Sequence, residues 1–248
     1  MVVRYIGHGT VLIELDGVRL LTDPLLRNRV AHLRRVAPLE GLPPPVDAVL
    51  ISHGHHDHLD LPSLRRLGNS TRVIVPKGLE GEVAAFDAVG VDEGDEVPVG
   101  PVTVQATHAD HEGGRPPFGE GRALGYAILG SQRVFFAGDT GLFDELDGLV
   151  PDLDLALVPI WGWGPTLGRG KHLDPGAAAE AVRRLAPRLA VPIHWGTYRP
   201  FHRAAGSAFL REPAEAFSQA VAAAAPDVEV RILRPGEKLE VASERPRP

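Results

Sequence analysis

Within Ser52-His53-Gly54-His55-His56-Asp57-His58 the chain places four imidazoles and one carboxylate, directly after the apolar run Val49-Leu50-Ile51. Imidazole nitrogen and carboxylate oxygen are the donors that divalent transition metals take from proteins. Residues two apart lie on one face of an extended chain, so His53 and His55 can converge on one ion. As the chain then turns toward a helix, Asp57 and His58 can face a second ion nearby. The alternation that aims His55 inward aims His56 outward, to solvent. A histidine-rich surface loop or an expression tag is the bland alternative, but a tag belongs at a terminus rather than on the end of a buried strand.

No cysteine occurs in the chain, which removes disulfides, thiolate ligands and a cysteine nucleophile together. Any metal must be held by histidine, aspartate or glutamate. The net charge of −6, with acids and bases interspersed, gives no footprint for nucleic acid. No segment approaches the ~20 apolar residues of a membrane span, and the N-terminus breaks into glycine and histidine after Ile6. A cytoplasmic location is expected. Arginine-rich and Asn/Gln-poor usage fits a warm habitat and a GC-rich genome equally.

The elements that must position these donors follow from hydrophobic patterning in a chain of 248 residues, 44% of them hydrophobic. Short β-branched runs bounded by turn residues predict strands over 2–6, 10–15, 18–22, 48–52, 73–75, 102–106, 124–129, 134–137, 153–159, 189–193 and 228–233. Helical patterns fall at 61–67, 79–89, 175–185 and 213–224. Strands this apolar need both faces covered, so the expected architecture is a four-layer αββα sandwich of mixed sheets with helices outside. No repeat or linker divides residues 1–248, which are read as one domain.

The pattern His-x-His-x-Asp-His followed by Leu59-Asp60 resembles the signature of the metallo-β-lactamase superfamily. His8-Gly9-Thr10, Thr22-Asp23-Pro24, Phe136-Ala137-Gly138-Asp139-Thr140-Gly141 and Pro192-Ile193-His194-Trp195-Gly196 are similar to its branch of ascorbate-phosphate lactonases and N-acylphosphatidylethanolamine phospholipases D. The resemblance runs from about residue 5 to residue 200 and implies a dinuclear hydrolase. It assigns His53, His55 and a further histidine to the first metal, Asp57, His58 and His194 to the second, and Asp139 as the carboxylate bridging both. The further histidine is His108 or His111. Strand-end geometry favours His108, whereas the family spacing to Arg115 favours His111, which we take.

The resemblance also implies catalytic roles for Asp57 and Asp139 and puts His172 near the substrate. His8, in a glycine-flanked turn, is either structural or part of the metals' surroundings. Asp23 either orients a ligand histidine or caps its Asp-Pro turn. The glycine-rich loop 161–172 suggests a pocket wall of Trp161 and Trp163, with Arg115, Arg169 and Lys171 adding positive charge for a phosphate. His32 and His202 read as surface residues.

Two adjacent cations bring the pKa of a bridging water to about neutral, so a metal-bridging hydroxide is the expected nucleophile on a phosphodiester, phosphorylated lactone or related small ester. Zinc, manganese, iron and nickel all suit the donor set. A metal-dependent oxidoreductase and a non-enzymatic binding module on the same fold are the competing classes. Iron- and flavin-using relatives carry extra domains for which this chain lacks length, and no ligand position is empty here.

Overall fold

Along the segment ending at the histidine cluster, Ala48 and Leu50 face one apolar cluster and Val49 and Ile51 another, and all four are buried. A strand covered on both sides is what a near-continuous apolar run specifies. A computed structural model, describing residues 1–114, 121–160, 171–202 and 208–243, shows how those clusters are built.

The first part of the chain forms β1 (Val2–Gly7), β2 (Thr10–Leu15), β3 (Val18–Thr22), β4 (Arg29–Val30), β5 (Leu33–Arg35) and β6 (Ala48–Leu50), then α1 (Leu61–Leu67), β7 (Arg72–Pro76) and β8 (Asp87–Val91). Next come β9 (Glu96–Val99), β10 (Val102–Glu112), β11 (Arg122–Leu129), β12 (Arg133–Phe136) and β13 (Leu155–Pro159). The remainder contributes α2 (Pro175–Leu185), β14 (Leu189–Ile193), β15 (Tyr198–Pro200), α3 (Glu212–Ala224), β16 (Glu229–Val230) and β17 (Lys238–Glu240).

Two seven-stranded sheets result, ordered β17-β1-β2-β3-β6-β7-β8 and β16-β14-β13-β12-β11-β10-β9. Antiparallel hairpins open each sheet, and parallel pairs β3–β6–β7–β8 and β12–β13–β14–β16 complete it. Side chains such as Tyr5, Ile13, Leu50, Tyr126 and Phe136 share one cluster between the sheets. Leu64 of α1 packs with Leu21, Val49 and Val73 on the outer face of the first sheet. Val182 of α2 and Phe217 of α3 pack on the second. The αββα layering expected from the sequence is therefore present. Among the described residues no helix is long and apolar enough to cross a membrane.

Helix starts are set locally. Asp60 accepts from the Ser63 N–H to cap α1 and Asp174 accepts from the Ala177 N–H to cap α2, each with proline in the first turn. The structure corrects the helix expected over 79–89: a short 3-10 turn at Glu80–Val83 is followed by β8. Pairing of Asp87–Val91 along β7 extends the sheet, and those ladder bonds override the helical preference of the alanines. The strand expected over 102–106 continues to Glu112. Its apolar alternation fades after Ala106 because the extension serves the site. Its pairing with β11 shifts register between His108 and Glu112.

Candidate metal centre

Most of the donors sit where strands end. β1 delivers His8, β3 delivers Asp23, β6 the run His53–His58, β10 its terminal His111, β12 Asp139 and β14 His194. Loops at the carboxyl ends of parallel strands are the usual place for a ligand in open α/β sheets. Backbone bonds draw these loops together: the Gly54 N–H donates to the Gly113 carbonyl at 2.7 Å and the Gly141 N–H to the Asp110 carbonyl at 2.9 Å. Gly138 takes φ +61°, and a Cβ there would lie 2.6 Å from the Ser52 Cβ, so the residue before Asp139 must lack a side chain.

Two histidine clusters meet at one carboxylate. His53, His55 and His111 present ligand atoms all within 4.8 Å of one another, and so do His8, Asp57, His58 and His194. His111 Nε2 stands 3.4 Å from His55 Nδ1. Asp139 lies between the clusters, with Oδ2 3.3 Å from His58 Nε2 and Oδ1 3.4 Å from His194 Nε2, and it groups with His53 as well.

The outer ring nitrogens are tied down. His58 Nδ1 is 2.7 Å from Asp23 Oδ2, which also receives the Ser52 hydroxyl at 2.6 Å. With its proton given to Asp23, the Ser52 oxygen accepts from His53 Nδ1 at 2.9 Å. His111 Nδ1 donates to the Lys171 carbonyl at 3.1 Å. Such bonds fix the tautomer and turn Nε2 inward, the arrangement of histidines that bind metal. Inside, His53 Nε2, Asp139 Oδ1 and His172 Nδ1 are buried without a hydrogen-bond partner among the described residues. Leaving such atoms unmatched costs about 1–3 kcal/mol each. A divalent cation in their midst satisfies this donor set of imidazoles and carboxylates, so the residues fit the group.

Electrostatics agrees with that fit. Burial and the neighbouring His58 push His55 down to about 4, and burial takes His194 down to about 3 despite the attraction of Asp139. Burial likewise carries His53 well below the ordinary range. These rings are neutral near pH 7, the form that binds a metal. Burial alone raises a carboxylate, but the charge on His58 and the hydrogen bond from His8 hold Asp57 well below its usual range. Asp139 is held low against its burial by His194 and His58. His58 is buried too, yet Asp139, Asp23 and Asp57 around it raise its pKa well above the ordinary value.

Of the two histidines weighed at the end of β10, the structure brings His111 to the centre and leaves His108 outside. His108 is exposed, edge-on to Phe143 with ring centroids 4.9 Å apart and 3.2 Å from Glu93. His56 faces solvent, as do His32 and His202. His172 stands 3.4 Å from Asp139 Oδ2. Lys171 pairs with Glu112, so its ammonium is already committed to a carboxylate. Arg115, Trp161, Trp163 and Arg169 lie outside the described residues. Thr197 and Tyr198 went unnoticed in the sequence. The Thr197 hydroxyl accepts from the His8 N–H at 2.9 Å, and the Tyr198 ring stands edge-on to His8 at 5.5 Å. Their position three and four residues after His194 was the available signal.

Residues 18–195 match the family model described as the β-lactamase superfamily domain. The chain belongs to that superfamily. It is 30% identical over 226 residues to N-acyl-phosphatidylethanolamine-hydrolyzing phospholipase D 1 of Caenorhabditis elegans, across 78% of this chain and 63% of that protein, less than two thirds of the longer molecule. To a UPF0173 metal-dependent hydrolase of Methanopyrus kandleri it is 32% identical over 256 residues, across 97% of this chain and the whole of the relative. The solved metallo hydrolase Igni18 of Ignicoccus hospitalis superposes with a TM-score of 0.71 at 25% identity, covering 96% of this chain and 97% of that one. This member of the superfamily is accordingly a metal-dependent hydrolase with a His/Asp cluster able to bind metal.

Proposed function

We propose that the chain is a dinuclear hydrolase of phosphodiesters, phosphorylated lactones or related small esters. The observation that carries the reading is Asp139, whose carboxylate groups with ligand atoms of both histidine clusters. His53, His55 and His111 would hold one divalent ion, Asp57, His58 and His194 the other, with Asp139 shared. When bound, such a pair supplies a water of near-neutral pKa and polarises the substrate oxygen. The donor set suits zinc, manganese, iron or nickel.

The chain's own residues supply the rest. Asp23 and Ser52 orient His58 and His53. His172, 20% exposed and 3.4 Å from Asp139, stands where it can reach both the centre and an incoming substrate. The nematode relative's name specifies hydrolysis of a phospholipid phosphodiester, which supports the phosphodiester among the substrate classes. In the test, purified protein is assayed for metal and for hydrolysis of bis-p-nitrophenyl phosphate and a lactone panel. Close to two transition-metal ions per chain and loss of turnover in Asp139→Ala are expected; undiminished turnover in that variant overturns the reading.

A further inference from the structure

Directly after His194 the chain turns Trp195 to a different task. Its ring stacks on Tyr5 with centroids 6.4 Å apart, and its indole N–H donates to the Pro192 carbonyl at 2.9 Å. Trp195 also borders an open cleft of about 720 Å³, which no residue of either histidine cluster lines. Trp195 and Leu210, each 8% exposed, give this cleft an apolar floor. Ile232 continues it, and at 38% exposed it is one of the few large apolar side chains left open to water.

Two arginines line the same cleft, Arg211 just before α3 and Arg234 between β16 and β17. Their guanidinium groups form neither an ion pair nor a hydrogen bond among the described residues. Carboxylates stand close to both in sequence. Glu215 follows Arg211 by four positions without pairing with it, whereas Arg184 engages Glu180 at that same separation in α2. Glu237 gives its carboxylate to the Arg234 backbone N–H, at 2.8 Å, rather than to its side chain. Of the acidic residues only Glu215 borders the cleft, so two guanidinium groups against one carboxylate leave the lining net positive.

We propose that this cleft is a second binding site, separate from the metal centre, for a small amphipathic organic anion. The ligand's apolar body would cover Ile232 and the Trp195–Leu210 floor, and its oxyanion would meet Arg211 and Arg234. An apolar floor with a few charged groups at its edge is the usual make-up of a small-molecule site, and the volume lies within the range of about 300–1,000 Å³ that such sites span. A guanidinium can offer an oxyanion two parallel N–H bonds, and covering Ile232 removes apolar surface from water. The proposal is independent of the hydrolytic reading.

Naphthalene-2-sulfonate, titrated calorimetrically into the metal-loaded protein, tests the site. Arg211→Ala/Arg234→Ala should weaken its binding by about tenfold or more and flatten the salt dependence, while Arg211→Lys/Arg234→Lys should keep the salt dependence. Ile232→Asp should weaken it as well, by loss of the apolar contact and repulsion of the sulfonate. All three residues are exposed, so these variants leave the core untouched. Asp139→Ala separates the two sites: affinity for the sulfonate equal to that of the parent supports the cleft. Three results overturn the proposal. They are no binding by the parent protein, unchanged affinity in both the double alanine variant and Ile232→Asp, and binding that is lost with Asp139 while it survives loss of the two arginines.

Discussion

His8 Nε2 lies 2.9 Å from Asp57 Oδ2. The same residue accepts the His194 N–H at its carbonyl, also at 2.9 Å, and lays its ring over the His194 ring with centroids 3.8 Å apart. It does so from a left-handed backbone, φ 59°, stabilised by Thr197. One residue thus positions two of the three donors assigned to the second ion.

His8→Ala should therefore lower metal content from about two ions per chain toward one, because the second site loses the group that aims Asp57. His8→Gln, which keeps an N–H donor, should restore much of it. Elemental analysis of both variants after dialysis is the check; two tightly held ions in His8→Ala contradict the positioning role.

Asp23 is buried and takes three donors: the Ser52 N–H at 2.7 Å, the Ser52 hydroxyl and His58 Nδ1. Asp23→Ala strands all three without water. At about 1–3 kcal/mol for each stranded group, a loss of at least about 3 kcal/mol is expected in urea unfolding of the metal-free protein. A loss below about 1 kcal/mol is incompatible with the network.

His108 and His111 give a paired test. His108→Ala removes an exposed ring outside the centre and should leave metal content unchanged. His111→Ala removes a donor of the first cluster and should reduce it. The opposite pattern would falsify the ligand assignment.

Burial raises the Tyr5 hydroxyl to about 12, where it donates to the Trp195 carbonyl. The folded protein holds this proton to a higher pH than the unfolded chain, so Tyr5 stabilises below pH 10. That contribution fades from pH 10 to 12, by up to about 3 kcal/mol. Unfolding curves of Tyr5→Phe should show a shallower alkaline decline than the parent; parallel curves contradict it.

The sequence made the layering readable because alternation and apolar runs report burial directly, as at Val49-Leu50-Ile51. It also exposed the densest part of the site, since His53 to His58 are contiguous. What stayed hidden depends on long-range pairing. β8 shares Asp87-Ala88-Val89 with the end of an expected helix, and only the edge of β7 decides between the two. The choice between His108 and His111 rests on the register shift in β10 opposite β11, which spacing alone does not reveal. The pairing of β15 with β5 is likewise invisible, because it joins residues more than 160 positions apart.

The dinuclear account is tested most directly by anomalous diffraction at the absorption edge of the bound metal. It predicts two peaks, one enclosed by His53, His55 and His111 and the other by Asp57, His58 and His194, with the Asp139 carboxylate touching both. A single peak, or a pair that Asp139 does not join, would contradict it.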